Sequence, residues 1–172
     1  MRVICISGQA GAGKDTVGKV IADKLAEKGY TPLITHQADL LKYICTSYFD
    51  WDGVKDEAGR SLLQYVGTDV VRKNRPDFWV DFLISMFDLF SENWDCAIIP
   101  DCRFPNEISR FKEASYKTIH IHVERDFESG LTEEQRNHPS ENALNEVTPD
   151  YVINNNGTID DLYDAIEIVV ES

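Results

Sequence analysis

Short apolar runs alternate with amphipathic stretches along the whole chain. The runs are four to six residues long and rich in β-branched residues, which is typical of buried strands. The stretches between them place apolar residues three or four positions apart, as a helix with one buried face does. The pattern predicts five strands, at 2–7, 31–35, 96–100, 118–123 and 151–154.

Two segments interrupt this alternation. Residues 38–93 have the pattern of three helices, the first capped by Asp39 and the third beginning at Asp77. Residues 125–149 are polar and have no strong apolar period. Strands joined by helices predict a single α/β domain over 1–172 with about five parallel strands. Ligands bind such sheets beyond the carboxyl ends of the strands, where both segments could close over them.

The composition narrows the class of protein. At 172 residues and 42% hydrophobic, the chain has the size and character of one globular domain. Its formal charge of −13 argues against a nucleic-acid polymer as partner, because such a partner calls for a basic face. No apolar run reaches the length of a membrane span, and no leader pattern precedes the first strand, so we expect a cytoplasmic protein without membrane contact. The four cysteines lack metal-ligand spacing and are expected to be free thiols.

The stretch GQAGAGKDT at 8–16 follows the first strand and opens the first helix. It matches the phosphate-loop pattern G-x-x-x-x-G-K at Gly8, Gly13 and Lys14. Glycines let the backbone turn its N–H groups toward phosphate oxygens, and the helix N-terminus and the lysine add positive charge. The strand, loop and helix together predict a nucleotide-phosphate site.

Asp15 stands where this pattern usually has a serine or threonine that holds magnesium. Two roles stay open from the sequence alone. The carboxylate could cap the first helix, where negative charge is favourable, or it could bind a water of a magnesium ion. Direct ligation of the metal is less favoured, because the phosphates already bring negative charge to the same place.

Three further stretches accompany the loop: LLQYVGTDVVRKNRPDFW at 62–79, IIPDCRFPNE at 98–107 and NHPSENALNE at 137–146. In order and spacing, the four stretches resemble the phage-type deoxynucleoside monophosphate kinases, which belong to the P-loop nucleoside and nucleotide kinases. The resemblance extends to INNNGTIDDL near the end of the chain. It implies a P-loop kinase fold with a helical acceptor-binding insertion at 38–93 and a lid at 125–149.

The resemblance also implies the reaction. The γ-phosphoryl group of ATP would pass to a deoxynucleoside 5′-monophosphate, with Mg²⁺ as cofactor, giving a diphosphate and ADP. The acceptor phosphate is already an oxyanion near neutral pH, so cations rather than a general base should dominate the site. The insertion either closes the site or pairs two subunits, so a homodimer stays open. A phage origin would place the protein in the host cytoplasm.

The same resemblance implies the site residues. The expected catalytic residues are Lys14, Asp101, Arg103 and Arg125. The residues expected to bind ATP are Gly8, Ala10, Gly11, Ala12, Gly13, Lys14, Asp15, Thr16, Arg136 and Asn155. The residues expected to bind the acceptor are Asp39, Lys42, Gln64, Thr68, Asp69, Arg72, Arg75, Trp79, Arg103 and Glu141, with Arg60 as a further candidate. Asp15 and Asp101 are expected to contact magnesium through water.

Several of these roles have structural alternatives. Asp101 could orient magnesium or hold Arg103 in place, and Lys42 could lie exposed on its helix. Trp79 could belong to the core, since apolar residues follow it at helical spacing. His138 lies in the lid without a predicted contact.

Three other functions compete with this hypothesis. A kinase of the same fold could act on another small phosphorylated metabolite. An ATP-driven hydrolase would need a hydroxyl after Lys14 and an arginine from a neighbouring subunit, and neither is evident in the sequence. A regulatory module could bind nucleotide without turnover, although the intact lysine and the clustered arginines argue against it.

Overall fold

The computed structural model describes residues 1–127 and 130–171. Its centre is one sheet of five strands in the order β2-β3-β1-β4-β5, and every pairing is parallel. The strands are β1 (Arg2–Ser7), β2 (Pro32–Ile34), β3 (Cys96–Ile99), β4 (Lys117–Glu124) and β5 (Tyr151–Asn154). The predicted α/β class and parallel sheet are confirmed.

Eight α-helices and one π-helix are present in the described ranges. The larger helices are α1 (Lys14–Glu27), α2 (Ala38–Tyr48), α3 (Glu57–Gln64), α4 (Phe78–Leu89), α5 (Pro105–Glu113) and α8 (Ile159–Glu171). Two short helices in the predicted lid are α6 (Glu133–Asn137) and α7 (Pro139–Asn142). None of the helices within 1–127 and 130–171 is both long and apolar enough to cross a membrane.

The sheet is covered on both faces because its central strands bury both sets of side chains. Ile4 and Ile6 of β1 pack with α1 and α8 in one cluster. Val3 and Cys5 point to the opposite face and pack with α4 and α5 in a second cluster. On this second face, His120 of β4 is buried with Nε2 2.8 Å from Ser7 Oγ, so it has a structural hydrogen bond.

The helices of the region 38–93 pack in two separate clusters, whereas the sequence predicted one insertion. Helix α4 packs on the sheet, where Val80, Leu83 and Phe87 join the second cluster. A separate small core of Cys45, Trp51 and Val66 holds α2, α3 and the π-helix together. The separately packed part of the region therefore ends before α4, because the hydrophobic face of that helix is needed to cover the sheet.

The middle of this region also has an unpredicted geometry. Helix α3 begins at Glu57 and continues directly into a π-helix over Tyr65–Arg72. Helices of this type form i→i+5 hydrogen bonds and are frequent at functional sites. Apolar residues three or four positions apart do not distinguish this wider turn from an α-helix, so the sequence predicted an ordinary helix here.

Candidate active site

The phosphate loop has the left-handed backbone that its glycines permit. Gly8 and Gly13 have φ values of 141° and 91°. A Cβ on Gly8 would lie 2.4 Å from the carbonyl oxygen of Val123, and one on Gly13 would lie 2.2 Å from Asn155 Nδ2. Asn155 Nδ2 donates to the carbonyl of Ala12 at 2.8 Å. The turn after β5 therefore fixes the loop through a side chain, and any larger residue at either glycine would break the fit.

Lys14 begins α1 and folds back over the loop. Its Nζ donates to the carbonyls of Gly8 and Gln9 at 2.8 and 2.9 Å. Burial lowers the pKa of Lys14 to about 8, and the nearby Arg103 guanidinium acts in the same direction. The ammonium group is thus held where a phosphate oxygen would meet it, and its charge is sensitive to mildly basic pH.

Asp15 does not cap α1, because the helix has no side-chain cap and its N-cap residue is Gly13. Instead, Asp15 Oδ1 is 2.8 Å from Nε2 of His36, on the segment after β2. His36 also lies 3.4 Å from Asp39, and Asp39 pairs with Lys42 at 2.8 Å. The helix-cap alternative is wrong, and the carboxylate instead takes part in a row of polar contacts that runs through His36, Asp39 and Lys42 between α1 and α2.

Asp39 is likewise not the N-cap of α2, contrary to the prediction. The N-cap position is Gln37, and Asp39 lies in the first turn. Asp101 at the end of β3 takes over this function, since its two carboxylate oxygens accept the N–H groups of Gln37 and Ala38 at 3.0 and 2.9 Å. Neither sequence alternative for Asp101 included this bond, which fastens α2 to the sheet.

A cavity of about 560 Å³ lies beyond the carboxyl ends of the strands, between the loop, the helical region and the lid. Its lining includes six cations: Lys14, Lys42, Lys55, Arg60, Arg72 and Arg103. It includes four carboxylates: Asp15, Asp101, Glu107 and Glu141. A lining with more cations than carboxylates, in a chain of net charge −13, concentrates positive charge at one place.

Arg72 ends the π-helix and is held rigidly by its surroundings. Its Nη2 donates to Glu107 Oε1 at 2.5 Å, and its guanidinium lies 3.9 Å from the ring centre of Phe104. The other oxygen of Glu107 accepts the N–H groups of Arg103 and Phe104 at 2.6 and 3.1 Å. Glu107 is 2% exposed, and burial raises its pKa while Arg72 opposes that change. The buried carboxylate of Glu107 therefore orients the side chain of Arg72 and the backbone at Arg103.

Arg103 joins the sheet to the lid. Its Nη1 donates to the carboxylate of Glu141 and, at 3.2 Å, to the carbonyl of Ser140. Both acceptors belong to α7. Arg103 and Glu141, each predicted to bind the acceptor, are thus brought together across the cavity by a charge-assisted hydrogen bond that the sequence analysis did not predict.

The rest of the cavity wall combines apolar side chains with polar ones that carry no charge. Trp79 is 4% exposed, donates its indole N–H to the carbonyl of Gly67 at 3.0 Å, and still lines the cavity with Gln64, Thr68 and Leu41. Trp79 therefore belongs to the core and contributes to the cavity wall at the same time. A wall of this kind suits a flat ring with polar edges.

Several predicted residues do not line this cavity. Arg125 and Arg136 are exposed, Arg75 lines a separate groove with Phe78 and Phe82, and Asp69 faces the lid. Gly8, Ala12, Gly13, Thr16 and Asn155 form or support the phosphate loop from behind. The lid segment of the prediction also includes residues 128 and 129, which lie outside the described residues.

Three ionisable residues of the cavity lining escaped the sequence analysis: His36, Lys55 and Glu107. Of these, only Glu107 could have been recognised in the sequence as part of a helix start, because Pro105 and Glu107 occupy the first and third positions of a helix. Lys55 enters the cavity because Trp51 anchors its loop, donating its indole N–H to the carbonyl of Val54 at 3.0 Å.

The chain has relatives among known proteins. A model of the deoxynucleotide monophosphate kinase family matches residues 35–166. Deoxynucleotide monophosphate kinase of Escherichia phage RB69 is 32% identical over 114 residues, a match that covers 64% of this chain and 44% of that protein. The chain thus spans less than half the length of this curated relative.

Solved structures agree in fold at low identity. An APS kinase of Mycobacterium tuberculosis, the CysC Cys556Ala mutant, has a TM-score of 0.58 at 14% identity over 99% of this chain and 97% of its own. Shikimate kinase of Aquifex aeolicus has a TM-score of 0.55 at 14% identity over 98% and 96%. These neighbours establish the kinase fold, and the family match is more specific. The chain belongs to the deoxynucleotide monophosphate kinase family.

Proposed function

We propose that the chain transfers the γ-phosphoryl group of ATP to a deoxynucleoside 5′-monophosphate, giving a deoxynucleoside diphosphate and ADP. The observation that carries this proposal is the shared cavity. It is lined by the phosphate loop with Lys14 on one side and by Arg72 and Arg103 on the other. Two anionic substrates can therefore bind next to each other in one cavity.

The transfer asks for positioning and charge neutralisation rather than for a base. An oxygen of the acceptor phosphate forms a bond to the γ-phosphorus while the bond from that phosphorus to the β–γ bridging oxygen breaks. Lys14 and the loop N–H groups would hold the donor phosphates. Arg72 and Arg103 would hold the acceptor phosphate, and Lys42 lies on the same wall.

Magnesium fits this site as a hydrated, phosphate-bound ion. Within 1–127 and 130–171, no group of three or more histidines, cysteines or carboxylates could hold a metal by itself. Asp15 uses one oxygen for His36, and Asp101 uses both for backbone N–H groups. Mg²⁺ often keeps its waters beside phosphates, so Asp15 and Asp101 would contact those waters. Bound Mg²⁺ would neutralise charge on the phosphates.

The organisation of the chain follows from these roles. We propose one kinase domain in which α2, α3 and the π-helix form the acceptor-binding part and α6 and α7 form the lid. An APS kinase of the same fold has been solved in complex with AMPPNP and APS, with a TM-score of 0.55 to this chain. A nucleotide donor in this fold supports ATP as the donor here.

The test is an ADP-release assay with Mg²⁺ and ATP, run against deoxy- and ribonucleoside monophosphates, APS and shikimate. We expect ADP only with deoxynucleoside monophosphates, together with the matching diphosphate on chromatography. ADP release without any acceptor would identify a hydrolase, and transfer only to a non-nucleotide would identify another kinase. Either result would overturn the proposal.

A matched pair of variants tests the acceptor side. Arg103→Ala should lower kcat/KM for the acceptor about 100-fold, because a charge-assisted contact to phosphate is lost, while KM for ATP changes less than threefold. Arg110→Ala is the control, since this partly exposed arginine pairs with Asp81 and Glu113 and does not belong to the cavity lining. Equal losses for both substrates would assign Arg103 a structural role.

A further inference from the structure

His138 links the two short lid helices and has one ring nitrogen without a partner. Its Nδ1 lies 3.2 Å from the backbone nitrogen of Ser140 and 2.9 Å from Ser140 Oγ. Its Nε2 is buried and makes no hydrogen bond. The nearest carboxylate is that of Asp69, whose Oδ1 is 3.8 Å from Nε2.

The proton on this ring can be assigned from its partners. The backbone N–H of Ser140 can only donate, so Nδ1 must accept, and the proton of the neutral ring lies on Nε2. A buried N–H without an acceptor costs free energy, and a carboxylate is the strongest acceptor available. The Nε2–H group therefore has its natural partner in Asp69, slightly beyond hydrogen-bond distance.

The two residues lie just outside the cavity, on elements from its two sides: His138 in the lid, and Asp69 in the acceptor wall, which consists of α2, α3, the π-helix and the Arg103 side chain. His138 caps α7, and α7 supplies both groups that accept from Arg103, the carbonyl of Ser140 and the carboxylate of Glu141. Asp69 lies in the π-helix that also carries Thr68 and Arg72 into the cavity. A bond from His138 to Asp69 would hold the lid and the acceptor wall in one arrangement.

We infer that His138 is a positioning residue, which acts by joining α7 to the π-helix through Asp69. The inference rests on the proposed function for its catalytic consequence. The link restrains the lid in the free protein and shortens to a hydrogen bond when substrates fill the cavity, as contacts of this kind often tighten in complexes. It sets Glu141 against Arg103 and limits the entry of water.

The experiment separates the cap from the link. In His138→Asn, the side-chain oxygen still accepts from the Ser140 N–H, because asparagine is a good N-cap residue, but it no longer reaches Asp69. Asp69→Ala removes the other partner, and Asp69→Asn retains an acceptor oxygen. Asp164→Ala on α8 is the control for the loss of an exposed carboxylate.

We expect His138→Asn and Asp69→Ala each to lower kcat about tenfold while KM for ATP changes less than twofold. Asp69→Asn should recover most of the rate. The double variant His138→Asn/Asp69→Ala should be no slower than the slower single variant, because both changes remove one interaction. Normal activity of His138→Asn, or losses that multiply in the double variant, would overturn the inference.

Amide hydrogen exchange of the free protein gives a readout that does not depend on catalysis. The amides of residues 140–144 should exchange about threefold faster in His138→Asn and in Asp69→Ala than in the wild type or in Asp164→Ala. Unchanged exchange in both variants would overturn the link. A wild-type protein without kinase activity but with the expected exchange would overturn the proposed function and leave the link intact.

Discussion

Under the proposed function, the phosphate loop and the acceptor wall would bind the same kind of group by different means. The loop uses backbone N–H groups, left-handed glycines and one lysine, all within 8–16. The acceptor wall uses long arginine side chains, each held by a carboxylate distant in sequence, as Arg72 is held by Glu107. The binding groups of the loop are therefore set mainly by local conformation, with Asn155 as a tertiary support, whereas the wall depends on tertiary pairs that single substitutions can release.

The largest expected effect falls on the loop. Lys14→Ala should lower kcat about 10³-fold or more, because the ammonium group meets the charge that develops on the transferred phosphoryl group. The ADP-release assay measures this loss, and thermal unfolding should shift by no more than a few degrees. Lys19→Ala, at an exposed position of the same helix, is the control and should be active. A loss below tenfold for Lys14→Ala would place the transfer elsewhere.

A smaller effect, on both activity and stability, is expected from a change in the acceptor wall. Glu107→Gln removes the charge that holds Arg72 and replaces one of the two acceptor oxygens by a donor NH2 group, so that Arg72 or the two backbone N–H groups lose their acceptor. We expect acceptor kcat/KM to fall about 30-fold and the free energy of unfolding to fall by about 3 kcal/mol, as for other broken buried pairs. Denaturant unfolding and steady-state kinetics measure the two losses.

Glu113→Gln is the matched control for this change. Glu113 lies on the same helix, is exposed, and pairs with Arg110 at 2.8 Å. An exposed pair is worth less than about 1 kcal/mol, so both measurements should stay near the wild type. If Glu107→Gln behaved like its control, the acceptor wall would not depend on its buried pair.

The smallest effect is a pH dependence. Since the pKa of Lys14 is about 8, kcat/KM should fall about tenfold per pH unit above that value. Bound phosphates favour the charged lysine, so kcat should fall only at higher pH. The decline is not unfolding, because the unfolded chain keeps this proton up to the ordinary pKa of 10.5, and proton loss between the two values favours the folded state. A kcat/KM that stays constant up to pH 9.5 would contradict the predicted decline.

The same contrast explains what could be predicted from the sequence. The individual strands, and the strand, loop and helix around Lys14, follow from patterns of neighbouring residues, and β5 over Tyr151–Asn154 was predicted with its observed bounds. Arg72 and Arg103 were predicted to bind the acceptor, but their partners lie 35 and 38 residues away. Pairing over such distances is decided by the fold, as are the bond from Asp15 to His36 and the helix cap by Asp101.

Asp101 has a further consequence for motion. Its two bonds fasten the start of α2 to the end of β3, so this helix must travel with the sheet. Because α2 shares one small core with α3 and the π-helix, this anchor extends to all three helices. A movement of the three helices away from the sheet would therefore have to break both bonds of Asp101.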